Sequence, residues 1–198
     1  MKVGFCALYG LANAGKSTLL NSILGVKVEA TSSKPQTTRE NIQGIYNDDD
    51  SQIVFIDTPG LHNPHKKLGS LLLKDASEAV QSVDVIIYVI DASLKVNYEL
   101  CSYLSEVNAK VIACFNKIDL INLEEGQEKL KKYKEVLKGA DFVEISALKK
   151  FGIDTLINTI KKYLDEGIPY FPKDMLIDHP TEFVYAEMIR EKCMRLLD

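Results

Sequence analysis

The chain has 198 residues, 46% of them hydrophobic and 26% charged, with a formal net charge of −4. That composition supports one full hydrophobic core and excludes a disordered chain; the acidic balance excludes a broad basic surface for nucleic acid. No run approaches the roughly 18 apolar residues of a membrane span, and the four cysteines (Cys6, Cys101, Cys114, Cys193) have no C-x-x-C spacing, which excludes a metal ribbon and predicts reduced thiols of the cytosol.

The first predicted strand is KVGFCALY, residues 2–9. It runs into G-L-A-N-A-G-K-S (10–17) and then a predicted helix over 16–24. Strand, glycine-rich turn and helix are the context of a phosphate-binding loop. Glycine lets the backbone lie close to phosphate oxygens with its amides pointing inward, and the helix adds its unpaired N–H groups. Gly10, Asn13, Ala14, Gly15, Lys16, Ser17 and Thr18 are the predicted phosphate-side contacts. Lys16 is expected to reach the β- and γ-phosphates, and the Ser17 hydroxyl to ligate Mg²⁺. A chance match to such a loop has odds of roughly 1% from average glycine usage.

A polar stretch from Lys34 to Arg39, K-P-Q-T-T-R, precedes predicted strands at 41–47 and 52–57. It offers two hydroxyls to Mg²⁺, of which Thr38 is the choice and Thr37 the competitor. Asp48-Asp49-Asp50-Ser51 reads as a solvated hairpin turn rather than a Ca²⁺ loop. Asp57-Thr58-Pro59-Gly60 ends the second of these strands. There Asp57 would hold Mg²⁺ through a water, and the Gly60 amide would bond the γ-phosphate and lose that bond on hydrolysis. Residues about 28–43 and 58–70 are therefore expected to order with GTP–Mg²⁺. His62 and His65, just after Gly60, read as part of a polar loop, with His62 placing the water or a partner as the alternative.

Further predicted elements are a helix at 69–81, a buried strand at 83–91, a helix at 97–107 and a strand at 110–115. The last opens directly onto Asn116-Lys117-Ile118-Asp119. A carboxylate at Asp119 can accept from guanine N1–H and N2–H₂, whereas adenine offers no such pair of donors on that edge. The Lys117 stem can cover one face of the base. A surface helix at 123–138 and a strand at 141–145 lead to Ser146-Ala147-Leu148, where the Ala147 amide is expected to donate to guanine O6. A helix is predicted at 153–165. Residues 167–180, with three prolines, read as a linker, and 181–197 as an amphipathic helix with Phe183, Ala186, Ile189 and Cys193 on its apolar face.

The fold class is thus α/β, a P-loop NTPase with a mostly parallel six-stranded sheet and helices on both faces, a Ras-like G domain. The ligand is GTP or GDP, the reaction is hydrolysis of GTP, and the residues bet on for catalysis are Lys16, Thr38, Gly60 and Asn13. An ATPase and a GTP-dependent binding module with negligible turnover are the alternatives. Leu61 follows the D-x-x-G motif where many small GTPases place a glutamine, and an apolar side chain cannot orient water; intrinsic turnover is expected to be slow.

The segments GLANAGKSTLLNSILG (10–25), SSKPQTTRENIQGI (32–45), DTPGLHNPHKKLG (57–69), NKID (116–119) and SAL (146–148) resemble the Era family of bacterial GTPases. So does the tail from Tyr170 onward, and the resemblance covers essentially the whole chain. It implies a switch in 16S rRNA processing and 30S subunit assembly, in the cytoplasm; the composition leaves room for peripheral contact at the inner face of the cell membrane. It also implies K⁺ beside Asn13, as in potassium-activated relatives. Ala12 stands where the family usually has proline and Leu11 where arginine is common; neither change removes a phosphate donor. The implied domains are 1–166 (G domain), 167–180 (linker) and 181–198 (a helix resembling the start of a KH domain). The G-x-x-G loop by which KH domains clamp RNA is absent, so the sequence is expected to be a shortened or naturally short form.

Overall fold

The computed structural model describes residues 1–28, 42–57 and 83–196. The expected helix at 69–81, together with Thr37, Thr38, Gly60, Leu61, His62 and His65, lies outside the described residues.

Strands β1 (Lys2–Tyr9), β2 (Ile42–Asn47), β3 (Ser51–Asp57), β4 (Val85–Asp91), β5 (Lys110–Asn116) and β6 (Asp141–Glu144) lie in the order β2-β3-β1-β4-β5-β6. All neighbours are parallel except β2 and β3, which form a hairpin. The helices are α1 (Lys16–Leu24), α2 (Tyr98–Ser105), α3 (Leu123–Val136), α4 (Ile153–Lys161) and α5 (Thr181–Leu196).

The two-residue period of the strands divides the core between two faces. Leu8, Phe55, Ile87 and Cys114 pack with Leu19 and Leu20 of α1 and Leu156 and Ile160 of α4. Ala7, Tyr88, Ile90 and Phe115 pack with Leu100 and Leu104 of α2 and Tyr133 of α3. Each leucine, isoleucine and phenylalanine among them, fully buried, contributes about 1.5–3 kcal/mol. Helices on both faces follow directly, because a strand apolar on both sides needs cover on both. Cys6, Cys101 and Cys114 are buried free thiols and Cys193 is an exposed one; burial pushes the Cys6 and Cys114 thiols well up, which keeps them inert.

The hairpin turn is organised by its own acids. Asp48 Oδ1 accepts from the Asp50 amide (3.2 Å), the Ser51 amide (2.8 Å) and the Ser51 hydroxyl (2.7 Å). Lys161 supplies the countercharge to both Asp48 and Asp50, so the turn needs no cation.

One expectation is corrected. The helix predicted over 153–165 stops at Lys161. Leu164 turns into the core, Lys2 Nζ donates to its carbonyl at 2.9 Å, and Asp165–Glu166 forms a seventh strand, β7, antiparallel to Lys2 and Val3. Gly4 makes room for this: a Cβ there would lie 2.7 Å from Leu164 Cδ2. Residues 167–180, expected as a linker, are held against the sheet by hydrogen bonds. Gln52, wholly buried, accepts from the amides of Tyr170 (2.7 Å) and Phe171 (2.9 Å) and donates to the Phe171 carbonyl (2.8 Å). Further on, the Ile45 amide donates to the Leu176 carbonyl (2.8 Å), and Gly44 bridges Ile177 in antiparallel fashion. The Gln43 amide donates to the Asp178 carboxylate (3.1 Å), and its carbonyl accepts from the Asp178 amide (3.2 Å). The segment is a strap along the outer edge of β2. On α5, Ile189 and Cys193 are exposed, as are Tyr185 and Leu196.

Candidate functional site

Among the described residues, the predicted contacts gather at the carboxyl ends of β1, β3, β5 and β6, where an open α/β sheet binds ligands. The loop leaving β1 is shaped by two glycines. Gly10 has φ +153°, and a Cβ on it would meet the Val89 carbonyl oxygen at 2.4 Å. Gly15 has φ +98° and precedes α1. Asn13, also left-handed at φ +62°, is the exposed crest of the loop. Lys16 is buried, and its Nζ donates to the carbonyls of Gly10 (3.2 Å) and Leu11 (3.1 Å), so the ammonium is held at the loop. Thr18 lies half-buried in the first turn of α1.

Ser17 Oγ donates to Asp57 Oδ2 at 3.0 Å, joining the start of α1 to the end of β3. Asp57 is wholly buried. A hydroxyl and a carboxylate at this separation are hard oxygen donors of the kind Mg²⁺ takes, with the remaining positions filled by phosphate and water. The pair fits the ion.

The base-side residues are tied to the phosphate loop. Asn116 Nδ2 donates to the Ala14 carbonyl at 2.9 Å, and Lys117 Nζ donates to the Asn13 carbonyl at 2.7 Å. Lys117 itself is left-handed, φ +65°, which turns the chain so that Asp119 follows in a short 3₁₀ turn, Ile118–Leu120. Ser146 Oγ donates to Asp119 Oδ1 at 2.6 Å and fixes that carboxylate. The Ala147 amide donates to Asn116 Oδ1 at 3.0 Å. Both ends of the buried Asn116 amide are thereby paired. Leu148 is exposed beside it.

Sequence reading missed Asp91. Its Oδ2 accepts from Lys117 Nζ at 2.6 Å, while Oδ1 accepts from the Ser93 amide (2.9 Å) and hydroxyl (2.6 Å). Burial would raise this carboxyl, but the bonds from Lys117 and Ser93 outweigh it and hold it below the usual range. The available signal was an acid closing an otherwise apolar strand, VIIYVID. Among the described residues no group of His, Cys, Asp and Glu forms a further metal cluster.

A family model described as a 50S ribosome-binding GTPase matches residues 5–117. The GTPase Era of Clostridium botulinum strain Hall is 44% identical over 99% of this chain and 67% of the relative. That of Clostridium kluyveri is 42% identical over 100% of this chain and 68% of the relative. Among solved structures, Era in complex with MgGDPNP and nucleotides 1506–1542 of 16S ribosomal RNA superposes with a TM-score of 0.88 at 39% identity, over 100% of this chain and 68% of that one. An Aquifex aeolicus Era variant bound to GDP.AlF4- gives the same TM-score and identity over 100% and 69%.

Proposed function

The chain belongs to the Era family of GTPases, and on that premise we propose a residue-level reading of its nucleotide cycle and its role. It binds GTP between the glycine loop and the N-K-I-D turn, hydrolyses it to GDP and phosphate, and serves as a switch in 16S rRNA processing and 30S assembly in the cytoplasm. The observation that carries this reading is the 2.9 Å bond from Asn116 to the Ala14 carbonyl, because it locks the base-reading turn to the phosphate loop at a fixed spacing. The solved relative with 16S rRNA nucleotides supports the ribosomal part. No helix among the described residues is long and apolar enough to cross a membrane, and the peripheral contact allowed by the sequence has no part in this reading.

The residues divide the work. Lys16 lies against the β- and γ-phosphates, and the amides from Asn13 to Thr18 receive the remaining phosphate oxygens. Ser17 and Thr38 would hold Mg²⁺, with Asp57 reaching it through water, and the ion would supply positive charge to the phosphate oxygens. The Gly60 amide senses the γ-phosphate. Asn13, an exposed residue, has an amide oxygen of the kind that suits K⁺, and the ion would add positive charge where other GTPases use an arginine. Asp119, fixed by Ser146, reads guanine.

Asp119→Asn is expected to lose the preference for guanine over adenine nucleotides, since an amide no longer offers two acceptors to N1–H and N2–H₂. Competition binding of GTP against ATP reads this, and an unchanged preference would overturn the guanine assignment. The wider reading is tested by GTP hydrolysis with Mg²⁺ in potassium and then in sodium at equal ionic strength. Faster turnover in potassium is expected. Slow, equal turnover with GTP still bound would support the second reading, a binding module that waits for RNA or a partner, which the apolar Leu61 favours.

A further inference from the structure

We propose that Asp91 is a positioning residue that stretches Lys117 across the phosphate loop and thereby sets how long a guanine nucleotide stays bound. The proposal rests on the guanine reading above, in which the Lys117 stem covers the base.

The argument starts from the backbone. Left-handed geometry is unfavourable for lysine, so Lys117 at φ +65° needs outside contacts to hold it. It has two at its tip: the Asn13 carbonyl at 2.7 Å and Asp91 Oδ2 at 2.6 Å. A four-carbon side chain has many rotamers, and an ammonium fixed at both sides leaves few of them. The stem then passes over Gly15, where a Cβ would come within 3.9 Å of Lys117 Cε.

Asp91 is built to hold rather than to float. Its side chain is only 8% exposed. Ser93 takes Oδ1 with two hydrogen bonds, which leaves Oδ2 directed to the lysine. The register pairs Asp91 with Asn116 across β4 and β5, so the carboxylate stands one residue from the lysine it grips. The adjoining Ala92 amide donates to the Asn116 carbonyl at 2.9 Å, and Lys129 Nζ donates to the Ala92 carbonyl at 2.9 Å. The anchor is thus fastened on both sides. Without it, Lys117 keeps its carbonyl contact but loses the charged partner, and the stem is free to leave the base before the nucleotide dissociates.

The test is dissociation of fluorescent GDP, with Mg²⁺, from the full chain and its variants Asp91→Ala, Asp91→Asn, Lys117→Ala and the double Asp91→Ala/Lys117→Ala. Loss of one charge-assisted bond predicts dissociation faster by roughly ten- to a hundredfold in both Asp91 variants. The double variant should match Lys117→Ala alone, since the two residues act through one contact. Asparagine keeps the volume and an oxygen for Ser93. A wild-type rate for Asp91→Asn would therefore mean that the acid only shapes the 91–93 turn, and would overturn the proposal. Additive effects in the double variant would overturn it too. If Lys117→Ala itself leaves the rate unchanged, the guanine-pocket reading falls, and this proposal falls with it.

Discussion

Lys16→Ala is expected to abolish tight GTP binding while leaving the fold intact. The ammonium already sits at the glycine loop, held by the Gly10 and Leu11 carbonyls, so it needs little reorganisation to meet phosphate. Two charge-assisted hydrogen bonds to phosphate, at about 1.5–3 kcal/mol each, correspond to roughly 10²- to 10⁴-fold in affinity. In the empty protein the same change frees two carbonyls at a site open to ligand, where water can replace the lysine. Titration calorimetry with GTP and a thermal melt separate the two effects. An affinity within about threefold of the parent would contradict the assigned role of Lys16.

Gly15→Ala is expected to damage both halves of the pocket at once. The backbone there is left-handed at φ +98°, and the added Cβ would lie 2.5 Å from Asn116 Nδ2. Asn116 is 2% exposed and bonded at both ends of its amide, to Ala14 and to Ala147, so it cannot step aside without breaking a buried contact. Strain of about 1–2 kcal/mol adds to roughly 1–3 kcal/mol for the displaced amide. Affinity for GTP and GDP should fall by about 10²- to 10³-fold. Gly25→Ala is the matched control. Gly25 is also left-handed, φ +71°, at the end of α1, but nothing lies within 4 Å of its added Cβ. It should lower stability by about 1 kcal/mol and leave GDP affinity unchanged. Equal affinities for the Gly15 and Gly25 variants would show that the steric link to Asn116 is unimportant.

The parts legible in the sequence were those whose physics is local. Apolar runs bounded by glycine or acids marked β1, β3, β4 and β5, because a strand buried on both faces has little freedom of composition. The glycine loop and N-K-I-D were legible because phosphate and guanine each demand particular atoms at short spacing. The missed features all depend on contacts between distant residues. Asp165 and Glu166 look like a polar helix end, and only the seating of Leu164 under β1 makes them a strand. Gln52 meets Tyr170 and Phe171 from 118 and 119 residues away. Asp91 meets Lys117 only because β4 and β5 lie parallel in one register.

The strap over β2 has a consequence for solubility. β2 pairs with β3 on one side; its other side would present a bare row of N–H and C=O groups, a template on which a strand of another molecule could add. Leu176, Ile177 and Asp178 occupy that row. They act as a guard against edge-to-edge aggregation, and a protein cut back to Glu166 would lose that guard along with its spacer.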